Sequence, residues 1–367
     1  MDNIMLNDDF DFLDVIEFGY PRQIYIRSEP FHDMDNLSFF RRFRLTKPTV
    51  LNLLAEIEDD LEFNNDLNNS ISPMNQLLTC LRYYASAGHL ISVADAMGMH
   101  VSTTSRIIPR VSNALCRLAR NYIKMPAQAE MIHVQHQFQD GIISQGYWMP
   151  RWNSHQNTIP SNSCTFFFFI EGGEDAEVFR NRKGYFSINT QAVCSSNLKI
   201  LDLVARWPGS THDATIFMNS RLRARFENNE FPNCLLLGDS GYPVKTYLLT
   251  PLGNPTTRVE QLYNESHIRT RNCIERVFGV WKRRFPVLAY GLRLKLQTAL
   301  QIIVAAAVLH NIARENNEPE PPPPENINVA ELNYLIEVGQ IPDIPNNNFE
   351  NAGFRDVLLN DYFSNLV

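Results

Sequence analysis

The apolar positions change their period along the chain. In "FRRFRLTKPTVLNLLAEIEDDL", Leu51, Leu53, Leu54, Ile57 and Leu61 recur at helical spacing, and Pro48 falls in the first turn, where its missing N–H is harmless. "SPMNQLLTCLRYYASAG" predicts a second helix from near Ser72 to Gly88. In "HLISVADAMGMHVSTTSRIIPRVSNALCRLARNYI" a short helix turns Val93, Ala94 and Met97 inward and stops at Gly98. The next helix starts at a Ser102 cap, with Thr103, Thr104, Ser105 and Arg106 in its opening turns. This is helix-turn-helix spacing, and small polar residues with an arginine are what a recognition helix offers to base edges and phosphates. A plain helical hairpin has the same pattern. Arg106, Arg110, Arg117, Arg120 and Lys124 make the helix basic, and Pro109 predicts a kink or a shortened regular part.

From Met131 to Pro160 neither period is sustained, and His133, His136 and His155 are expected to face solvent or pack, since no fourth ligand completes a metal site. The text then turns to α/β. "CTFFFFI", "GYFSINTQAVC" and "KILDLVARWPG" read as strands, the second and third joined by the hairpin-length turn "SSN". "RLRARFENN" reads as a helix and "CLLLGDSGYP" as a buried strand ending in a turn. A long basic helix follows in "NESHIRTRNCIERVFGVWKRRF", then a deeply buried one in "TALQIIVAAAVLHNIARENN", and "EPEPPPPEN" opens an acidic tail.

Composition narrows the class. With 44% hydrophobic and 11% aromatic residues, the 367-residue chain is that of a folded globular protein, and the apolar run from Ala299 is too short to span a bilayer. The acidic start lacks the basic region of a secretory signal. Six scattered cysteines without a CxxC pair point to a reducing compartment and against a zinc ribbon. The net charge of −7 is unevenly spread. Residues 1–20 carry six carboxylates and no Lys or Arg, and residues from Glu315 onward carry ten carboxylates against one arginine, so the body between them is +8. The acidic ends are expected to be solvated tails around a basic body.

Three carboxylates stand out by position. Asp239 ends the apolar strand "CLLLGDSGY", where α/β proteins place site residues. Glu275 borders the buried face that Ile274, Val277, Phe278, Trp281 and Phe285 make on the basic helix, with His267 and Arg271 at four-residue steps before it. Asp213 closes the turn "WPGSTHD". Carboxylates converging in a cleft repel one another unless a divalent cation neutralises them, and magnesium or manganese prefers such oxygen ligands. Each also has an ordinary reading: Asp213 as a helix cap, Asp239 as an Asx-turn acceptor, Glu275 as the partner of Arg271.

The run "EDAEVFRNRKGYFSINTQAVCSSNLKILDLVARWPGSTHDATIFMNSRLRARFENNEF", with "LLLGDSGYPVKTYLLTPLGNP", "YNESHIRTRNCIERVFGVWKRRFP" and "AVLHNIA", resembles the harbinger transposase-derived nucleases, which carry the DDE transposase domain of PIF/Harbinger elements. The match covers roughly 165–313. The resemblance implies an α/β chain, with a ribonuclease-H-like DDE nuclease domain preceded by an all-α helix-turn-helix domain. The division is 1–35 acidic segment, 36–128 helical DNA-binding region, 129–162 divergent irregular segment, 163–313 endonuclease domain and 314–367 Pro-rich acidic tail.

It further implies a magnesium- or manganese-dependent nuclease hydrolysing DNA phosphodiesters, no membrane, nuclear residence with the cytoplasm as a second location, and a separate Myb-like DNA-binding partner. The motifs "PGSxHD", "LLGDSGYP" and "IExxFGxxK" carry the family's acidic residues to Asp213, Asp239 and Glu275 as metal ligands, with Asp239 and Glu275 catalytic. DNA contacts are expected from Thr103, Thr104, Arg106, Arg110, Arg271 and Lys282. The leading aspartate of the family's first strand is absent. Ser163 stands in its place and Phe166 in that of the following histidine, and Asp140, Glu171 and Glu174, the nearest carboxylates, do not fit the motif. Serine is a neutral, weaker ligand, so the expected activity is impaired; the alternative is a catalytically inactive DNA-binding or scaffold protein.

Overall fold

A computed structural model describes residues 25–63, 70–86, 88–127, 157–167 (backbone alone), 177–180, 186–232 and 234–321, with short pieces at 330, 355–356, 359–360 and 363–366. The amino-terminal part is helical: α1 (Pro30–Asp33), α2 (Asn36–Phe43), α3 (Lys47–Leu61), α4 (Pro73–Tyr84), α5 (Leu90–Met97), α6 (Val101–Arg117) and α7 (Ala119–Tyr122). Side-chain caps set several starts. Asp35 accepts the Leu37 and Ser38 N–H groups ahead of α2, and Ser72 Oγ accepts that of Asn75 ahead of α4. On α3, Leu53, Leu54, Ile57 and Leu61 are buried as the spacing predicts, but Leu51 is 48% exposed. α5 stops at Gly98, whose φ of 61° suits glycine; a Cβ there would meet the Ile26 carbonyl oxygen at 2.0 Å.

The α/β part contains β1 (Asn157–Phe167), β2 (Ser187–Cys194), β3 (Ile200–Pro208), helices α8 (Asp213–Met218) and α9 (Arg221–Glu227), β4 (Cys234–Leu237), β5 (Leu248–Leu249), and helices α10 (Arg258–Arg284), α11 (Val287–Tyr290) and α12 (Leu296–Glu315). The five strands form one sheet in the order β3-β2-β1-β4-β5. β1 is antiparallel to β2 and β2 to β3, whereas β1 runs parallel to β4 and β4 to β5. β2 and β3 are joined as a hairpin through Leu198, with φ 66°.

Three boundaries differ from the sequence reading. β1 begins at Asn157, inside the segment expected to be irregular, because Asn157–Pro160 pairs with Cys234–Leu237, a contact no local pattern announces. α6 begins at Val101, with His100 rather than Ser102 as its cap; His100 Nδ1 accepts the Ser102 N–H at 3.1 Å. α6 also continues through Pro109 to Arg117. Its face of Ile107, Ile108, Val111 and Leu115 is buried, and packing against α12 and α4 offsets the cost of the ring. α10 starts ahead of the expected "NESHIR" stretch because Thr257 and Glu260 make a reciprocal capping box.

One core runs through both parts. The even positions of β2, Ile188, Ala192 and Cys194, join Ile274, Val277 and Phe278 of α10 and Ile302 and Ile303 of α12. The same cluster takes in Leu53 and Ile57 of α3, Leu77 and Leu81 of α4, and the apolar face of α6. α12 is long and apolar enough to cross a membrane by length and composition, yet its surface is spent on α6 and β3 inside the protein. On the other side of the sheet a second cluster joins Val193 to Phe217, Leu236, Tyr242 and Leu248.

Beyond α12 the chain is clamped to the amino-terminal helices. Glu318, 6% exposed, accepts from Thr46 N at 3.1 Å, Thr46 Oγ1 at 2.6 Å and Thr49 Oγ1. The wholly buried Arg284 donates to the carbonyls of Arg44 and Pro319, both at 2.8 Å. Part of the acidic tail, expected to be solvated, is folded back: Phe363 is 2% exposed, with its ring edge-on to Tyr263 of α10 at 5.6 Å.

Candidate active site

Asp239 lies two residues past the end of β4 and is 5% exposed. Its Oδ1 accepts the Gly241 N–H at 2.8 Å, the Asx-turn bond among its two readings. Gly241 is the residue that fits, since a Cβ there would sit 3.0 Å from that same oxygen. Asp213 opens α8, with His212 as the cap, and its Oδ1 accepts Asn189 Nδ2 at 3.1 Å. Gln191 Nε2 donates to Tyr242 Oη at 2.8 Å and more weakly to the Asp213 carbonyl at 3.4 Å. Tyr242 N in turn reaches the Asp239 carbonyl at 3.3 Å. A polar seam therefore links Asp213 through two buried amides of β2 to the turn that carries Asp239.

Backbone register brings residue 163 to this seam. It pairs directly with Gln191 across β1 and β2. The parallel register of β1 with β4, carried on from Pro160 and Leu237, sets Asp239 level with Asn162, one residue from Ser163. The side chains of Ser163 and Phe166 lie outside the described residues, as do His133, His136, His155, Asp140, Glu171 and Glu174.

Glu275 stands elsewhere. α10 packs on the even face of β2, where Cys194 and Cys273 meet, whereas Asn189 and Gln191 hold Asp213 on the odd face. Successive residues of a strand point to opposite faces, so the sheet separates α8 from α10. Glu275, its side chain 40% exposed, is paired with Arg271 at 3.2 Å. One turn before Arg271 the buried His267 donates its Nε2–H to the Leu249 carbonyl (3.1 Å), and burial pulls its pKa down to about 4, so it is neutral at pH 7 and pins α10 to β5. The donors are chemically suited to a hard cation, all being carboxylate oxygens. Their arrangement is not: among the described residues no three His, Cys, Asp or Glu are grouped to hold a metal, so Asp213, Asp239 and Glu275 do not form one ligand set here.

The residues expected to touch DNA divide in the same way. Thr104 is wholly buried, and Arg271 and Lys282 are 8% and 1% exposed, so these three face the core rather than a duplex. Arg110 is committed to the end of α3, donating to the Glu62 carbonyl at 2.8 Å and lying 4.0 Å over the Phe63 ring. Arg106 is exposed and Thr103 half-buried on α6. The sequence reading makes α10 basic without singling out its exposed arginines. Arg269, Arg276 and Arg283 are all exposed on α10. At seven-residue intervals they share one side of the helix, about 10.5 Å apart along it. That spacing is visible in the sequence once the buried face is placed.

Residues 163–311 match the family model of the DDE superfamily endonuclease. The human "Putative nuclease HARBI1" is 30% identical over 250 residues, covering 67% of this chain and 69% of the relative. The Xenopus laevis protein of the same name is 24% identical over 321 residues, 86% of this chain and 82% of the relative. "Protein ALP1-like" of Arabidopsis thaliana is 23% identical over 318 residues, 80% of this chain and 73% of the relative. No solved structure matches.

Proposed function

Since the chain belongs to the DDE superfamily endonucleases, among the harbinger transposase-derived proteins, we propose that it acts on DNA through a ribonuclease-H-like domain whose hydrolytic centre is incomplete at residue 163. One observation carries this reading. The sheet order β3-β2-β1-β4-β5 sets the carboxyl end of β4, with Asp239, beside β1, level with Asn162 and one residue from Ser163. DDE-type nucleases generally use divalent metal ions. This chain keeps Asp239 for that chemistry, held by the Gly241 N–H, while Glu275 is engaged by Arg271. The phosphodiester-cleaving activity proposed is therefore weak. Nuclear residence and a Myb-like partner belong to the same proposal.

The test is nicking of supercoiled plasmid with manganese by the full chain and by Asp239→Asn. Slow nicking by the wild type that the substitution abolishes supports the nuclease; equal inertness of both, with DNA binding intact, removes it. The second reading, a DNA-binding protein without cleavage, is favoured by the Arg271–Glu275 pair and by the exposed arginines of α10. Three arginines along a helix face would neutralise three phosphates. Reversing Arg269, Arg276 and Arg283 to glutamate is expected to weaken binding of any duplex sequence and flatten the slope of log affinity against log salt by about 3. A filter or anisotropy titration over a salt series reads it, and an unchanged slope excludes α10 as the contact face.

A further inference from the structure

Cys194 ends β2 and Cys273 lies on α10, two residues before Glu275. Both are free thiols, and their Sγ atoms are 3.3 Å apart although 79 residues separate them in sequence. Cys194 is wholly buried, whereas Cys273 is half-buried and reachable from outside. We propose that these two cysteines form a dithiol site that small disulfides, of the oxidised-glutathione class, convert to an intramolecular disulfide joining β2 to α10.

The order of events follows from access. Cys273 loses its proton to solvent and its sulfur displaces one half of the small disulfide, forming a mixed disulfide and releasing one small thiolate, which takes up a proton. Cys194 then gives up its proton, attacks the Cys273 sulfur and expels the second small thiol. Two protein thiols are oxidised, one small disulfide is reduced to two thiols, and no proton is gained or lost overall. Cys194 cannot go first, because burial holds its thiol well above the ordinary cysteine range and shuts out the oxidant. It needs no encounter to go second. Its sulfur must approach by only about 1.3 Å to reach the S–S bond length, and a group already in place reacts as if at very high local concentration. Two other described cysteines are engaged differently: the buried Cys80 lies 3.9 Å from Ser112 Oγ, and the Cys116 thiol donates to the Gln301 carbonyl at 3.2 Å.

The experiment is treatment of the native full-length protein with oxidised glutathione, then alkylation and peptide mass mapping. The wild type is expected to lose two hydrogens through a Cys194–Cys273 cross-link, with no lasting glutathione adduct at Cys273. Cys194→Ala, which keeps a small side chain in the core, is expected to hold a glutathione on Cys273 at least about tenfold longer than the wild type does. Cys273→Ser is expected to leave Cys194 unmodified. A stable adduct on Cys273 in the wild type would overturn the proposal, as would an inert Cys194–Cys273 pair under conditions that label Cys116. Neither outcome depends on whether the chain cuts DNA.

Discussion

Replacing Ser163 by aspartate is expected to raise manganese-dependent nicking of supercoiled DNA by about a hundredfold, the scale of one well-placed electrostatic group in an active site. The argument is one of position and charge. Residue 163 pairs with Gln191, whose amide already joins the seam, and it lies one residue from the level of Asp239 across the parallel β1–β4 register. A carboxylate there, within β1, would lie one residue from the level of the one that follows β4, which is the kind of oxygen pair a hard divalent cation takes. Without a cation the two would repel each other and hold one proton more tightly. The gain should therefore vanish under chelation and in the Ser163→Asp, Asp239→Asn double variant. If the single variant folds, binds DNA and still fails to nick faster than the wild type, the incomplete-centre reading is wrong and DNA binding alone remains.

Glu318→Ala is expected to lower the free energy of unfolding by about 3–5 kcal/mol, the cost of removing one partner from a buried charged network. Three donors, Thr46 N, Thr46 Oγ1 and Thr49 Oγ1, lose their acceptor together. Arg284 also loses a counter-charge. Burial already pulls its pKa down to about 10, and Glu318 is the leading influence acting the other way. At neutral pH the guanidinium stays charged, so its desolvation is left less compensated. Urea denaturation followed by far-ultraviolet circular dichroism would read the loss. A midpoint within error of the wild type would show that the network sets position without adding stability. Glu318→Gln, which keeps an oxygen acceptor, should fall between the two.

Much of the architecture was legible in the chain. Ser72, Gly98 and the β2–β3 hairpin stand where turn and cap chemistry put them, and Asp239 closes a buried strand as its apolar lead-in predicts. What escaped depends on which element covers which surface. Helical spacing says that His267, Arg271 and Glu275 share a side of α10 and that Glu275 borders the buried face, but not that the first two are sealed against β5 and the core. Local sequence offers Thr104 and Lys282 to DNA, but packing buries both in the folded chain. The sheet's separation of Asp213 from Glu275 was hidden for the same reason. The order of strands and helices does not say on which side a helix returns. The alternation in "SINTQAVC" holds the clue, with the amides of Asn189 and Gln191 on one face and Ile188, Ala192 and Cys194 on the other. It becomes readable only when the partners of each face are known.

The core that α3, α4 and α6 share with α10 and α12 limits how this protein can be inherited. A nuclease whose DNA-reading end were a bead on a string could trade that end for another and keep its catalytic half. Here the exchange would strip α12 of its covering and leave Ile302, Ile303 and their neighbours open to water, so the recipient would aggregate before it found a new target. Changes to this half must then come residue by residue on exposed positions such as Arg106, which carry no part of the shared core.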